Sequence, residues 1–419
     1  MADKDSQVPA LGGVRAWCMW LLAGLSFGYA FFHRVTPSVM VSELMTDFAI
    51  GGAMLGALSA LYFYPYVLLQ VPLGAMLQSF GTRILLGLAL MLAAIGSLIF
   101  GLSETILPAY IGRILIGIGC SVGFLGSLAL ASKWFRAEQY AFLAGLAMFI
   151  GMSSGMLAQK PLAFVIEATG WREAMYMLAI CGACLSLLVF IYVRNSPDSQ
   201  PESVSGKLSW QSLGHDLRHA LCCADVWKVA FVAAAMSGPM LALGALWGTP
   251  YVVQAYGLSR PDAAFQMSYL LMGWAIGAPF WGWVSAKTGK LKLILVVNAA
   301  LLSALVAIII AVPALPLVWF SVIVCLMGFT GGGMSACFGL VRHVVPAELA
   351  GAATGVVNSL TVASGAVLQP LVGLGLDLLW SGHLINGARL YQASEYRISF
   401  VVILVSCILG VVTALKLKE

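Results

Sequence analysis

Apolar residues in this chain do not alternate with polar ones; they run in blocks of about twenty, separated by short polar breaks. A helix rises about 1.5 Å per residue, so roughly 20 apolar residues cover the ~30 Å hydrocarbon core of a bilayer. Twelve blocks reach that length, near 16–42, 52–78, 83–102, 106–132, 138–168, 173–193, 227–254, 262–285, 291–312, 316–341, 349–378 and 398–415. The blocks at 138–168 and 349–378 are longer than a crossing needs, which predicts tilt or a break in each. The expected fold class is an all-α polytopic membrane protein.

Composition agrees. The 419 residues are 61% hydrophobic and only 9% charged, too few charges to clothe a soluble surface. Met1–Gly13 is polar and the first block is too long for a signal-peptide core, so no cleavable leader is expected. The blocks fall six and six about a linker rich in Ser and Pro that begins at Arg194. Within it Trp210, Leu213, Leu217 and Leu221 recur at helical spacing, which predicts a helix lying along the membrane surface. The expected order is a tail (1–15), six spans (16–193), the linker (194–226), six spans (227–415) and a tail (416–419).

Charge sets orientation. With the N-terminus inside, fifteen Lys and Arg fall in inner segments, four in outer ones and three (Arg34, Arg113, Lys160) within helices. Basic residues favour the cytoplasmic side, so both termini are expected there, in a cell (inner or plasma) membrane. The net charge of +5 reports this asymmetry and does not call for a nucleic-acid partner. The seventeen carboxylates avoid the helix centres; Glu43, Asp47, Glu104, Glu167, Glu173, Asp262, Asp377 and Glu395 gather toward the outer face.

Candidate chemistry is sparse. Seven of the nine cysteines lie in apolar blocks, and Cys181-x-x-Cys184 has no histidine or carboxylate nearby, so neither a disulfide nor a metal is expected. There is no P-loop, and Gly331-Gly332-Gly333 reads as helix packing. No enzyme chemistry or cofactor is expected. The exception is Tyr29-Ala-Phe-Phe-His33-Arg34-Val-Thr-Pro37 in the first block. An arginine there costs about 2.5–3.5 kcal/mol to insert, so it ordinarily faces a cavity or a partner. Tyr29 and His33 stack on one face with Arg34 about 100° round, and Pro37 has no N–H for the His33 carbonyl.

The halves echo each other. Ser154-Gly155…Gln159-Lys160-Pro161-Leu162 is repeated as Ser364-Gly365…Gln369-Pro370-Leu371, Lys160 being one extra residue. Glu138 and Gly145 match Glu348 and Gly355. Thr36-Pro37 matches Thr249-Pro250, with Trp247 standing where the first half has Arg34.

Two loops carry a family resemblance. Gly74-x-x-x-Gln78-Ser79-x-Gly81-Thr82-Arg83 and its second copy, Gly282-x-x-x-Ala286-Lys287-x-Gly289-Lys290, resemble the cytoplasmic signature of the major facilitator superfamily. Arg113-x-x-x-Gly117-x-Gly119 is similar to its second signature. The resemblance implies two six-helix bundles, a mid-membrane substrate site between them and alternating access. It assigns gating or structural roles to Gly74, Gly81, Arg83, Arg113, Gly117, Gly119, Gly282, Lys287 and Gly289. The signature's aspartate is absent, replaced by Gln78 and Ala286, which implies a weaker inward gate or a different lock. Close glycine packing is expected at Gly119/Gly123, Gly151/Gly155 and Gly351/Gly355.

Candidate substrate contacts are Arg34, His33, Tyr29, Lys160, Gln159, Tyr64, Gln70, Trp247, Asn358 and Gln369, with Tyr66 beside them. For tyrosines and glutamines, interhelical hydrogen bonding is an equal reading. A cavity holding Arg34 and Lys160 without a carboxylate points to a small organic anion as the solute: a carboxylate, a phosphate ester or a similar metabolite, moved by secondary active or facilitative transport. A zwitterion such as an amino acid or short peptide is the alternative, and a non-transporting scaffold or sensor the third reading. Expected partners are the small-molecule substrate, the bilayer, and protons or a counter-transported solute, in a monomer. If transport is proton-linked, His33 is the histidine placed to titrate.

Overall fold

The computed structural model describes residues 12–196, 217–313, 315–346, 349–385 and 387–417. Residues 197–216, which hold most of the Ser/Pro-rich linker and the first part of the expected surface helix, lie outside the described residues, as does Glu348; 217–222 are helical.

Among the described residues, eleven helical segments are long and apolar enough to cross a membrane: α1 (Val14–Val39), α2 (Gly52–Gln70), α3 (Thr82–Gly101), α4 (Ile106–Trp134), α5 (Phe142–Thr169), α6 (Trp171–Tyr192), α7 (Ala224–Tyr256), α9 (Leu291–Ala311), α10 (Leu317–Leu340), α11 (Ala350–Leu379) and α12 (Ala393–Leu415). The twelfth, α8, is the 29-residue helix Arg260–Thr288, long enough to cross. Its first turns carry Arg260, Asp262 and Gln266, which lowers its hydropathy. The helix of α2 continues to Phe80. Twelve crossings put both described ends on one face, here the terminal face; the other is the distal face. On the distal face lie a short helix, Val41–Asp47, and a hairpin pairing Leu384–Ile385 with Ala388–Arg389.

Proline sets the irregularities. Pro37 ends the α-helical part of α1 at Val35 and a tight 3-10 turn, Thr36–Val39, follows. In α2 the helix breaks after Ala60 and resumes at Phe63, where Pro65 offers no amide to the Leu61 carbonyl. The two long blocks part company. In α5 the helix stops at Leu157 and restarts at Lys160, with Gln159 at φ −93°, ψ −107°. Its counterpart α11 runs unbroken from Ala350 to Leu379 through Pro370. The residue inserted at Lys160 is therefore taken up as a break. In α7 the segment Met240–Trp247 widens into a π-helix, which periodicity does not reveal.

Glycine packing is confirmed in part. A Cβ on Gly119 would stand 2.3 Å from the Ala89 carbonyl, and one on Gly151 2.8 Å from the Phe27 ring. Gly351 meets open space. Gly331, Gly332 and Gly333 pack against Trp274, Ala278 and Asn298, as a packing segment should.

Candidate functional site

Arg34 is buried near the end of the α-helical part of α1, and aromatic rings surround it. Its guanidinium carbon lies 4.4 Å from the centre of the Phe31 ring, 5.2 Å from Tyr66, 5.8 Å from Tyr62 and 6.0 Å from Phe63. Such faces stabilise a cation without neutralising it. No described carboxylate lies within ion-pair distance of Arg34, and its Nε has no hydrogen-bond partner. Tyr62, Tyr66 and Gln70 recur every fourth residue, so one stripe of α2 carries them all. Gln70 is buried too; its Oε1 accepts from Asn358 Nδ2 of α11 at 2.9 Å, while its Nε2 is left without an acceptor. The cluster spans the halves, since Phe63 packs on Gly365 of α11, and Phe31 meets Leu271 of α8 around Gly155. Buried donors with no acceptor make a place for an anion.

Several expected contacts lie elsewhere. Tyr29 and His33 turn into the first half: their rings meet edge-on at 4.5 Å, Tyr29 Oη donates to the Leu178 carbonyl, and His33 Nε2 sits 3.2 Å from Ser97 Oγ. His33 is completely buried there, so its imidazole does not line the interface between halves. Helical rotation separates them from Arg34, one residue on. Tyr64 is half exposed, and its hydroxyl donates to the Ala366 carbonyl of α11, which Pro370 leaves without an amide. Trp247 is buried in the second half, its Nε1 donating to the Gln369 carbonyl, and so does not mirror Arg34. Gln369 itself donates to the Leu241 carbonyl in the π segment of α7.

Gln159 is a plug. Its Nε2 donates to the Gly244 carbonyl of α7, and its Oε1 faces the hydroxyls of Ser38 and Thr249 at 3.4 and 3.3 Å. Ser38 and Thr249 also line a cavity of about 420 Å³ on the distal side, with Arg260, Arg389 and Tyr391 at its walls. The plug thus ties the Thr-Pro bend of α1 to the Thr-Pro step that follows the π segment of α7.

Lys160 corrects the expectation of two free cations. Its Nζ lies 2.9 Å from Asp262 of α8, with the lysine about a third and the aspartate about half exposed. The break at Gln159 turns this side chain toward the distal surface, where Phe164 and Phe265 flank it. Solvent screens an exposed pair of this kind, so it contributes little. Lys160→Gln is therefore expected to leave the KM for substrate within about twofold of wild type; a tenfold rise in uptake assays would return Lys160 to the site.

Further contacts close the distal face, and sequence reading missed their pairing although it saw the carboxylates gathered there. Arg260 of α8 pairs with Glu43 and donates to the Val39 carbonyl. Asp377 of α11 accepts from the amides of Gly52 and Ala53 at 2.9 and 2.8 Å, capping the N-terminus of α2 from the other half. Arg389 and the Tyr391 hydroxyl hold the same carboxylate, and Tyr391 also accepts from Gly52 N. Burial and the neighbouring Asp377 push the Tyr391 hydroxyl above the ordinary tyrosine range, which keeps it a donor. Beneath the cap the helices touch: a Cβ on Gly56 would lie 2.6 Å from the Gln369 carbonyl, and one on Gly373 2.1 Å from that of Gly52.

At the terminal face Gly74, Gly282, Gly289 and Gly351 have nothing within 4 Å of a Cβ position. Gly81, at φ +76°, seats the start of α3 on Asn195, and Arg83 Nε donates to the Phe190 carbonyl; both grips stay within the first half. Lys287 rests over Trp283. Among the described residues, the ion pairs joining the halves are distal.

The Major Facilitator Superfamily model matches residues 21–370. The chain belongs to the major facilitator superfamily. A solved structure, that of a bacterial homologue of the human lysosomal transporter Spinster in an inward-facing, occupied conformation, superposes with a TM-score of 0.77 at 16% identity over 96% of each chain. The probable galactarate/D-glucarate transporter GudP of Escherichia coli is 20% identical across 100% of this chain and 98% of its own. The probable sulfoacetate transporter SauU of Cupriavidus necator is 24% identical over 64% of this chain; the match spans 65% of that protein.

Proposed function

We propose that this superfamily member is a secondary transporter of a small organic anion carrying a carboxylate or sulfonate, working by alternating access. The observation that carries this reading is Arg34, a buried guanidinium with no described carboxylate in reach, set between the halves against Tyr66, one turn of α2 from the unpartnered Nε2 of Gln70. Arginine offers a planar fork of donors matched to a carboxylate, and the rings around it exclude water. The relatives support the class: both are named as probable carriers of small acids. A zwitterion would need a carboxylate for its ammonium group, and none accompanies Arg34 among the described residues.

The sealed distal face, with open space about Gly74, Gly282 and Gly289 opposite it, fits a conformation open toward the termini. With the termini cytoplasmic, as the basic residues indicate, this is an inward-facing state. A membrane-impermeant thiol reagent should label Ser203→Cys only after cells are permeabilised; labelling of intact cells would reverse the orientation.

A thermal-shift screen of the detergent-solubilised protein tests the substrate class. D-glucarate or sulfoacetate at a hundredfold excess over its Kd should stabilise by about 2.7 kcal/mol, with neutral sugars and amino acids leaving the midpoint unmoved. Stabilisation by amino acids alone would establish the zwitterion reading instead.

A further inference from the structure

Prolines in these helices leave carbonyls without amides, and side chains from other helices take them. Pro370 frees the Ala366 carbonyl, which accepts from Tyr64; Pro239 frees that of Ala235, which meets Cys407 Sγ at 3.7 Å. The third case lies beside the site. Pro37 has no amide for the His33 carbonyl, and Arg113 of α4 donates to it through NH1 at 3.2 Å. Its other amino group, NH2, is 3.4 Å from the Ser59 carbonyl, just before the break in α2. One turn on, Gly117 lets α4 approach that break, since a Cβ there would stand 2.3 Å from the Tyr62 carbonyl. Arg113 is buried, and its guanidinium carbon lies 5.3 Å from the centre of the Tyr62 ring.

We propose that Arg113 is a positioning residue for the anion site: its guanidinium replaces the amide Pro37 lacks and joins the bends of α1 and α2. This rests on the reading of Arg34 as the anion's partner. The bend of α1 follows directly after Arg34, and the bend of α2 directly precedes Phe63 and Tyr66, so their relative angle decides whether the rings meet the guanidinium. One planar group with several donors can hold both carbonyls; lysine, with one nitrogen, cannot reach two separated acceptors in the same fixed geometry.

Val35 and Thr36 keep helical backbone angles (φ −93°, ψ −25° and φ −43°, ψ −43°), so an amide at position 37 would point at the His33 carbonyl. This permits a double-mutant cycle on full-length protein: wild type, Arg113→Met, Pro37→Ala and both together, read as thermal midpoints without ligand. The midpoint lost through Arg113→Met should shrink to about half in the Pro37→Ala background, because the restored amide serves the same carbonyl. Equal losses in both backgrounds would overturn the proposal. Where Arg113→Met fails to insert, Arg113→Lys carries the same cycle. Uptake into proteoliposomes, with D-glucarate and sulfoacetate as probes, supplies the second readout. Arg113→Lys should raise KM about tenfold, with kcat within about twofold, as expected for a displaced charged donor. A kcat loss at unchanged KM would overturn it. If wild type moves neither probe, the anion reading fails, while the thermal cycle still decides whether Arg113 serves the bend.

Discussion

Arg34→Gln is expected to reduce kcat/KM for uptake of the organic anion by about 10²–10³-fold while the protein stays folded and inserted. Breaking a buried charge pair by removing one partner costs about 3–5 kcal/mol, and each 1.4 kcal/mol is about a factor of ten. Without substrate, Arg34 is met by aromatic faces and the side chains of Tyr62 and Tyr66 but by no carboxylate, so its buried charge keeps an uncompensated desolvation cost that glutamine would relieve. The empty protein should therefore melt at or above the wild-type temperature. The same relief of an unpaired charge separates this result from simple misfolding. Arg34→Lys should retain part of the activity, since a point charge attracts the anion but cannot fix its plane. Uptake by Arg34→Gln within about threefold of wild type, with a normal melt, would remove the anion reading.

Gly373→Val is expected to hold the distal face open and stop turnover. A Cβ at 373 would sit 2.1 Å from the Gly52 carbonyl oxygen, a backbone atom that no side-chain rotamer can move aside. The cap that Asp377 places on α2 lies one turn further along the same helix and would be pried off with it. Asp377→Asn should act in the same direction more mildly, because hydrogen bonds to a charged group contribute about 1.5–3 kcal/mol. The readout is a single cysteine at Leu271, buried between the halves, in a protein without native cysteines. In sealed vesicles an impermeant maleimide added on the distal side should label Leu271→Cys slowly in the parent. Labelling should be at least about tenfold faster with Gly373→Val. Unchanged labelling would show that the distal contacts do not form the gate.

The membrane fold was legible in sequence because a bilayer imposes a one-dimensional constraint. Any segment that crosses it must be about 20 residues long, apolar and helical, so block lengths located the spans. α8 shows how far this reaches: its count survived even though Arg260 and Asp262 lowered its hydropathy. Arg34 was legible for the same reason, as a charge that no lipid would accept. What each side chain meets was decided only in three dimensions. Arg34 and His33 are adjacent, yet one faces the interface and the other the bundle core, and the packing of α2 and α4 against α1 sets that rotation. Lys160 was visible as an extra residue, but its counter-charge lies 102 positions away on a helix of the other half. The cap of Asp377 on Gly52 and Ala53 spans more than 320 positions and uses backbone amides, which leave no mark in residue type. Composition places a segment in the bilayer; only the packing of distant segments chooses its face, its partners and which side of the molecule is sealed.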